Sequence, residues 1–185
     1  GPFIPVNRNE LPSGSIIDRR RVVQKMRLSE EKRELIRGLE MIDIDEVSMV
    51  RSDLLDVVDV ILRTFRSKQQ LPFGGVQMVF IGDLFQLPPV VKDEEWPILS
   101  EFYSSPFFFD ARALADVPPV VIELTNVYRQ KDHAFIDVLN HIRENQTQDP
   151  DLRLHEDRYN PDFQPEKGSE YITLTTHNYK ADSIN

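Results

Sequence analysis

The sequence of 185 residues contains no cysteine. This absence excludes a disulfide framework, a thiolate metal site and a cysteine nucleophile. The sequence also lacks an apolar run of the ~18–20 residues that a membrane-spanning helix requires. No charged segment followed by an apolar one, as in a signal peptide, stands at its N-terminus. We therefore expect no membrane partner, and a location in the cytoplasm of a bacterium or in the nucleus or mitochondria of a eukaryote.

Positive charge is the scarcer sign, with 22 Lys and Arg against 31 Asp and Glu and a net charge of −9. This balance argues against a general nucleic-acid binder. However, residues 18–37 hold eight basic and only four acidic side chains. This segment either contacts phosphates or forms a solvated helix face with ion pairs between neighbouring turns, and the sequence leaves both interpretations open.

The first half of the sequence predicts helices that alternate with strands. Ser29 is the expected N-cap of a helix that ends near Gly38, and residues 41–44 and 76–81 are apolar enough for buried strands. Between the strands, Ser52 is expected to cap a longer helix. Its predicted apolar stripe consists of Leu54, Val58, Ile61, Leu62 and Phe65. Three aspartates are predicted to lie away from that stripe: Asp53, Asp56 and Asp59.

The second half continues the alternation less regularly. Its predicted elements are, in order, a short helix within 96–103, an aromatic core segment at 105–109, a strand over 120–124, a helix capped by Asp132, a linker or insertion over 145–169, a strand over 171–174 and a helix near Ala181 and Ile184. Strands that alternate with helices predict an α/β fold around a mostly parallel sheet.

Acidic residues follow the first predicted strand directly. Ligands of open parallel sheets bind at the carboxyl ends of the strands. Asp45 at such a position can hold Mg²⁺, which binds through one or two carboxylates together with substrate phosphates. Glu46 can orient or deprotonate an attacking water. For an acidic pair alone, a solvated acidic turn would be the better interpretation. Because this pair follows an apolar strand, the two interpretations are about equal.

The next strands end in polar residues as well. Gly82 permits a sharp turn after the second strand, and Gln86 is a neutral group able to touch a γ-phosphate or a water. Arg129 follows the third predicted strand and can act as a finger on a phosphate. The alternatives are a rigid loop with one polar tip and a surface ion pair.

Taken together, these segments resemble the Pif-type (petite integration frequency) DNA helicases, which are related to RecD. Residues 44–49 (IDEVSM) are similar to the Walker B segment of this family, and residues 82–90 (GDLFQLPPV) to its motif III. Residues 124–132 (LTNVYRQKD) are similar to its motif IV, and residues 174–178 (LTTHN) to the next segment of its second motor domain. They occur in the order of the family and extend over roughly residues 40–185. The motif III string is the most specific of them.

The resemblance implies a superfamily-one helicase that uses ATP and Mg²⁺ to translocate 5′ to 3′ on single-stranded DNA in repair, recombination or telomere maintenance. It implies a RecA-like P-loop NTPase fold that is incomplete here, with 1–115 in the first motor domain and 116–185 in the second. By position, Asp45 would hold Mg²⁺, Glu46 would activate water, and Gln86 and Arg129 would contact the γ-phosphate. The residues implied to act on DNA are Pro88, Pro89, Thr175, Thr176, His177 and Asn178.

Two features depart from the family pattern. None of the seven glycines precedes Lys-Ser or Lys-Thr, so the Walker A loop that cradles phosphates is absent from these residues. We therefore expect this fragment not to hydrolyse ATP alone. Asp43 replaces a usually apolar residue, so it is either a third acid near the metal or part of an uncovered face.

Two other functional classes remain open. A non-catalytic RecA-like module would keep the fold and serve as a binding surface. A Mg²⁺-dependent phosphohydrolase would instead use Asp43, Asp45 and Asp83, provided that these carboxylates converge around two metal ions.

Overall fold

The computed structural model describes residues 22–24, 26, 28–115, 117–157, 159–164, 168 and 171–184. The chain divides into two compact units, Gly1–Arg129 and Gln130–Asn185. The division falls later than the predicted motor-domain boundary between 115 and 116. Most of residues 1–28, and with them the arginine-rich part of the basic segment, lie outside the described residues.

The first unit contains a parallel pair of strands joined through a helix. Its elements are α1 (Glu30–Gly38), β1 (Met41–Ile44), α2 (Ser52–Phe65), β2 (Gln77–Phe80) and α3 (Trp96–Leu99). The two strands pair in parallel from Met41 opposite Gln77 to Ile44 opposite Phe80. The predicted mixed α/β class and both strands of this half are therefore confirmed. None of the helices in the described part of the chain is long and apolar enough to cross a membrane.

Helix α1 begins and ends as predicted. The Ser29 hydroxyl accepts a hydrogen bond from the Lys32 amide at 3.4 Å, which confirms the N-cap. On the same helix, the guanidinium groups of Arg33 and Arg37 lie 3.6 and 3.0 Å from the Glu30 carboxylate. The described part of the basic segment is thus a solvated helix face with ion pairs.

Arg66 holds the end of α1 against the turn that leads to β2. Its Nη1 donates to the carbonyl oxygens of Ile36 and Arg37 at 3.0 and 2.7 Å, and also to that of Leu39. Its Nε donates to the Gly74 carbonyl at 3.0 Å. These bonds satisfy carbonyls that a helix end leaves without intrahelical partners.

Helix α2 buries a different face from the one that its apolar residues predict. Leu54 is 46% exposed, whereas Leu55 is fully buried. The three aspartates predicted to face away from the core are also buried, with exposed fractions of 6–7%. The predicted stripe is therefore wrong in part, because each aspartate meets hydrogen-bond donors from a different part of the first unit.

Asp56 has the most partners of the three. Its Oδ2 accepts hydrogen bonds from the Tyr103 hydroxyl at 2.8 Å and the Arg112 amide at 3.2 Å. Its Oδ1 accepts one from the Ala113 amide at 2.9 Å. Burial raises the pKa of the Asp56 carboxyl, and these three hydrogen bonds oppose the rise. One side chain therefore holds the segment 103–113 on α2.

Asp59 fixes the turn before β2. Its carboxylate pairs with Arg63 at 2.7 Å and accepts a hydrogen bond from the Phe73 amide. Phe73 and Gly74 both have positive φ, 51° and 62°. A Cβ on Gly74 would lie 2.6 Å from the carbonyl oxygen of Leu62, so only glycine fits this turn.

The core of the first unit lies between α2 and the segments that its aspartates hold. Its buried residues are Val47, Leu55, Leu62, Phe73, Val76, Phe108, Ala111, Ala113 and Leu114. The rings of Phe80 and Phe108 lie 5.4 Å apart between centroids. Of the predicted aromatic core at 105–109, Phe108 is buried but Phe109 is 47% exposed.

The second unit is helical where it is regular, with α4 (His133–Arg143), α5 (Asp149–Glu156) and α6 (Asn178–Ile184). The Asp132 carboxylate accepts from the Phe135 amide at 3.3 Å, which confirms the predicted cap of α4. The predicted linker over 145–169 is wrong at α5. That helix forms because Asp151 accepts from the Gln148 amide at 2.8 Å, and because acids in a first turn suit the helix dipole.

The strands predicted over 120–124 and 171–174 do not form. Both segments are irregular, and the side chains of Ile122 and Leu174 are 80% and 91% exposed. A strand needs a neighbour for its backbone amides and carbonyls, and no described residue pairs with either segment. Both segments have the apolar residues of a strand, but the part of the chain that the structure describes supplies no partner strand for either.

We predict that Asp56→Ala destabilises the first unit by about 2–4 kcal/mol, because three donors lose their acceptor and two of them, on Tyr103 and Ala113, are buried. Urea unfolding measures the difference. Asp93→Ala is the control, since Asp93 is an exposed aspartate and its loss should change stability by less than about 0.5 kcal/mol. Equal effects of the two substitutions would contradict the role of Asp56.

The second unit contains a histidine whose charge is coupled to the fold. The Nδ1 atom of His141 lies 3.0 Å from both oxygens of the Asp151 carboxylate, which is buried. This hydrogen bond raises the pKa of His141. The folded pKa exceeds the unfolded value of ~6.5. The pair with Asp151 therefore stabilises the folded state fully at pH values below the unfolded pKa of His141. This stabilisation is lost as the pH rises through the folded pKa.

We predict that Asp151→Asn lowers the pKa of His141 and removes this pH dependence, as NMR titration of the imidazole signals and unfolding at several pH values would show. Asp157→Asn is the matched control, since Asp157 is exposed and is not among the acids that raise the His141 pKa. An unchanged His141 titration in Asp151→Asn would refute the coupling.

Candidate functional site

The acidic pair lies in a tight turn directly after β1. Asp45 and Glu46 are both exposed, and Glu46 adopts the left-handed conformation with φ 50° and ψ 41°. The Glu46 amide donates to Asp45 Oδ1 at 2.9 Å, and the Glu46 carbonyl accepts from the Met49 amide at 3.0 Å. The left-handed region costs a residue with a side chain ~1–2 kcal/mol, so the surrounding structure must impose it.

The turn after β2 packs against this acidic turn. The Ile81 amide donates to the Ile44 carbonyl at 2.9 Å, and the Val47 amide donates to the Ile81 carbonyl at 2.9 Å. A Cβ on Gly82 would lie 2.9 Å from the Val47 amide nitrogen, so a larger residue would force the two turns apart. The two strand ends that the sequence singles out therefore meet at one edge of the sheet.

Asp83 holds Gln86 in place within the loop after β2. Asp83 Oδ2 accepts from the Gln86 side-chain amide at 3.1 Å, and its Oδ1 accepts from the Phe85 amide at 3.1 Å. The backbone amide of Gln86 also donates to the backbone carbonyl of Asp83, at 3.1 Å. This is an Asx-type turn with an exposed Gln86 at its tip. From the sequence alone, Asp83 is expected only as a metal ligand, although its position three residues before Gln86 favours this turn.

The end of the same loop is anchored to the start of α2. Pro88 is exposed and Pro89 is buried. Beyond them, Glu95 Oε2 lies 2.7 Å from Arg51 Nη1, and Arg51 Nε lies 2.8 Å from Asp53 Oδ1. Arg51, the residue before α2, therefore connects the start of this helix with the segment that follows the loop. Sequence reasoning missed this residue, because its partner is 44 positions away.

The remaining predicted site residues lie outside the two strand-end turns. Arg129 is exposed and is the last residue of the first unit. In the second unit, residues 175–177 directly precede α6, and Asn178 is its first residue. The His177 carbonyl accepts from the Lys180 amide at 3.1 Å. Thr175 donates to the His177 carbonyl at 3.1 Å, and Thr176 Oγ1 lies 2.8 Å from His177 Nδ1. The roles of Arg129 and of residues 175–178 stay predictions.

The acids at the strand ends fit one Mg²⁺ ligand better than a site with two metal ions. Among the described residues, no group of three or more histidines and acids is placed to hold a metal ion, so the structure gives no support to the phosphohydrolase of Asp43, Asp45 and Asp83. Asp43 is exposed, as is Met41 two residues before it on the strand, which favours the uncovered-face interpretation. Asp45, an exposed carboxylate at a strand end, suits Mg²⁺ that takes its other ligands from phosphates and water.

Comparisons with known proteins agree on one family. A family model described as PIF1-like helicase matches residues 8–153. The chain is 41% identical over 100 residues to the ATP-dependent DNA helicase PIF1 of Mus musculus. It is 38% identical over 127 residues, or 68% of this chain, to PIF1 of Saccharomyces cerevisiae.

Solved structures give the same result for the fold. The Pif1 helicase from Bacteroides in complex with ADP-AlF3 and ssDNA matches with a TM-score of 0.81 and 38% identity, over 99% of this chain and 40% of its own. The Pif1 helicase from Candida albicans matches with a TM-score of 0.74 and 30% identity, over 90% of this chain and 35% of its own.

The chain covers only 14% of the length of the mouse and yeast relatives. The residues that the family model matches, 8–153, include both strand-end turns and the loop that holds Gln86. The RecA-like α/β fold that the sequence predicts is likewise supported by the matched structures. The chain belongs to the PIF1-like helicase family.

Proposed function

We propose that this chain is part of an ATP-dependent DNA helicase that moves 5′ to 3′ on single-stranded DNA, and that it supplies one side of the ATPase site. One observation carries the proposal: the Val47–Ile81 hydrogen bond of 2.9 Å joins the turn of Asp45 and Glu46 to the turn that leads to Gln86. The relatives named ATP-dependent DNA helicases and the homologous structure with ADP-AlF3 and ssDNA support it.

Each strand-end residue has a distinct role in this proposal. Asp45 holds Mg²⁺, which neutralises charge on the phosphates when bound. Glu46, the exposed acid next to Asp45 in the left-handed turn, takes the proton from the attacking water. Gln86, oriented by Asp83, contacts the γ-phosphate or the water. Arg129 stabilises the charge that develops on the transferred phosphoryl group.

The DNA-contacting residues lie in two places in the proposal. Pro88 is exposed and can touch DNA directly, whereas Pro89 is buried and acts by fixing the shape of the loop. The second place is the segment that leads into α6, where Thr175, Thr176, His177 and Asn178 are exposed or partly exposed. They offer hydroxyl, imidazole and amide groups for the phosphate backbone. We place the parent protein in DNA repair, recombination or telomere maintenance, in a bacterial cytoplasm or a eukaryotic nucleus or mitochondrion.

One sequence feature favours a second candidate, a RecA-like module that binds without catalysis. No Gly-Lys-Ser or Gly-Lys-Thr occurs in the 185 residues, and that loop supplies the amides and the lysine for the phosphates. The complete gene separates the candidates. A phosphate-binding loop upstream of this segment supports the motor, and its absence supports the binding module.

We predict that the 185-residue chain alone shows no DNA-stimulated ATP hydrolysis, whereas the full-length protein does. In the full-length protein, Glu46→Gln should lower kcat by about 10²–10⁴-fold, since it removes the general base. Glu94→Gln is the control, because Glu94 is an acid whose side chain is 80% exposed. ATP hydrolysis by the 185-residue chain alone would contradict its expected inactivity. A Glu46→Gln enzyme with an unchanged kcat would disprove the role of Glu46 as the general base.

We also predict that Asp83 and Gln86 act as one unit. In the full-length protein, Asp83→Ala should reduce kcat about as much as Gln86→Ala, because Gln86 loses its orientation. The double variant should be no worse than either single one, as expected for residues within one hydrogen-bonded pair. Steady-state ATPase assays with single-stranded DNA measure all three, and additive losses would show that the residues act separately.

A further inference from the structure

Glu95 ends the stretch of loop that begins at Asp83, and an ion pair ties it to a distant part of the first unit. Its Oε2 lies 2.7 Å from Nη1 of Arg51, which is 44 positions earlier in the chain. Both side chains are only 15% exposed. The same Glu95 oxygen accepts a hydrogen bond from the Lys92 amide at 3.4 Å, and the Glu95 amide donates to the Lys92 carbonyl at 2.9 Å. Glu95 therefore joins a local turn to a long-range contact, and none of the roles proposed above uses it.

Arg51 is itself fixed at the start of α2. Its Nε and Nη2 donate to the two carboxylate oxygens of Asp53 at 2.8 and 3.0 Å. Its backbone forms an isolated antiparallel bridge with Phe107, and the amide of Ser52 donates to the Pro106 carbonyl at 2.9 Å. A planar guanidinium can serve two carboxylates at once in this way, which a lysine cannot. The end of the loop is therefore held to a rigid point a few residues after the acidic turn.

The loop is thus anchored at both ends to the backbone that carries the acidic turn. At its start, the Ile81 carbonyl accepts from the Val47 amide at 2.9 Å. Gln86 lies near this first anchor and has its own bond to Asp83. The two prolines, at 88 and 89, lie between Gln86 and the second anchor at Glu95. Because a segment fixed at both ends has fewer conformations than one fixed at a single end, loss of the second anchor should affect the prolines more than Gln86.

We propose that Glu95 is a positioning residue for DNA contact. Its ion pair with Arg51 holds the stretch of Pro88 and Pro89 at a fixed place relative to the acidic turn. DNA that contacts these prolines is thereby kept in a fixed relation to the phosphate site. This inference rests on the proposed function, since it requires DNA contact at the prolines and hydrolysis at the strand ends.

The test measures the steady-state ATPase rate of the full-length protein over a range of concentrations of single-stranded oligo-dT. Glu95→Ala should raise the oligo-dT concentration for half-maximal stimulation about three- to tenfold, as expected when one ordered contact is lost. The ATPase rate without DNA and the KM for ATP should stay within about twofold of the wild-type values, because Gln86 keeps its bond to Asp83. A loss of general stability would not separate these quantities.

Two control variants separate positioning from folding. Glu94→Ala removes the neighbouring acid, whose side chain is 80% exposed and lies 4.0 Å from the Lys92 ammonium group. Ser52→Ala removes a hydroxyl at the start of α2 that donates to the Ser105 carbonyl at 3.4 Å and not to the loop. Both variants should keep the wild-type oligo-dT concentration for half-maximal stimulation, even where Ser52→Ala lowers the urea unfolding midpoint.

Arg51→Lys tests the same ion pair from its other side. Lysine keeps the positive charge but lacks the fork that serves Asp53 and Glu95 together, so the oligo-dT concentration for half-maximal stimulation should rise here as well. Adding Arg51→Lys to Glu95→Ala should change this concentration little further, because both substitutions act on one contact. Fully additive effects would show that the two residues act separately and would overturn the proposal.

The outcomes distinguish this inference from the proposed function. A wild-type full-length protein without DNA-stimulated ATPase activity overturns the proposed function and the role of Glu95 together. A stimulated wild type with an equally DNA-sensitive Glu95→Ala variant overturns the role of Glu95 alone. An equal shift in Ser52→Ala, or an equal loss of the ATPase rate with and without DNA in Glu95→Ala, also overturns it, since either result indicates a general structural defect.

Discussion

The first unit depends on carboxylates buried along one helix. Asp53, Asp56 and Asp59 are spaced three residues apart on α2 and are 6–7% exposed. A buried carboxylate is unfavourable unless charged partners or hydrogen-bond donors surround it. Asp53 pairs with Arg51, Asp56 accepts from Tyr103 and two backbone amides, and Asp59 pairs with Arg63 and holds the turn at Phe73. Asp56 and Asp59 therefore fix two separate segments on the helix, and Asp53 holds Arg51, which pairs with Glu95.

This arrangement explains how a two-stranded sheet holds the strand ends so closely. Helix α2 starts a few residues after the acidic turn, and Arg51 ties its start to Glu95 beyond the loop of Gln86. At the other end of α2, the Asp59 contact and the Arg66 bonds set the turn that delivers β2. The ends of β1 and β2 are thus positioned by polar contacts around the helix as well as by their own pairing.

Local signals were sufficient for part of the structure. The caps at Ser29 and Asp132 and the two strands before Asp45 and Gly82 follow from short-range patterns, and the structure confirms them. The buried face of α2 was not predictable, because its burial depends on donors as far as 57 residues away. The strands expected over 120–124 and 171–174 needed partner strands that the described residues do not supply. At the site, the strand ends were predictable from residue type, and the spacing of Asp83 and Gln86 favours the turn that they form. The Arg51–Glu95 contact was not predictable, because the two residues are 44 positions apart and leave no local signal.

The net charge of −9 remains unusual for a segment assigned to a DNA motor. Its acidic residues are partly used inside the fold, and the proposed DNA contacts rely on hydroxyl, amide and proline groups rather than on a basic surface. The proposed motor uses ATP to move along single-stranded DNA in one fixed direction. The most direct measurement is ATP-dependent unwinding by the full-length protein of duplexes that carry either a 5′ or a 3′ single-stranded tail. The account predicts unwinding of the 5′-tailed duplex only, and unwinding of neither duplex, or of the 3′-tailed one, would contradict it.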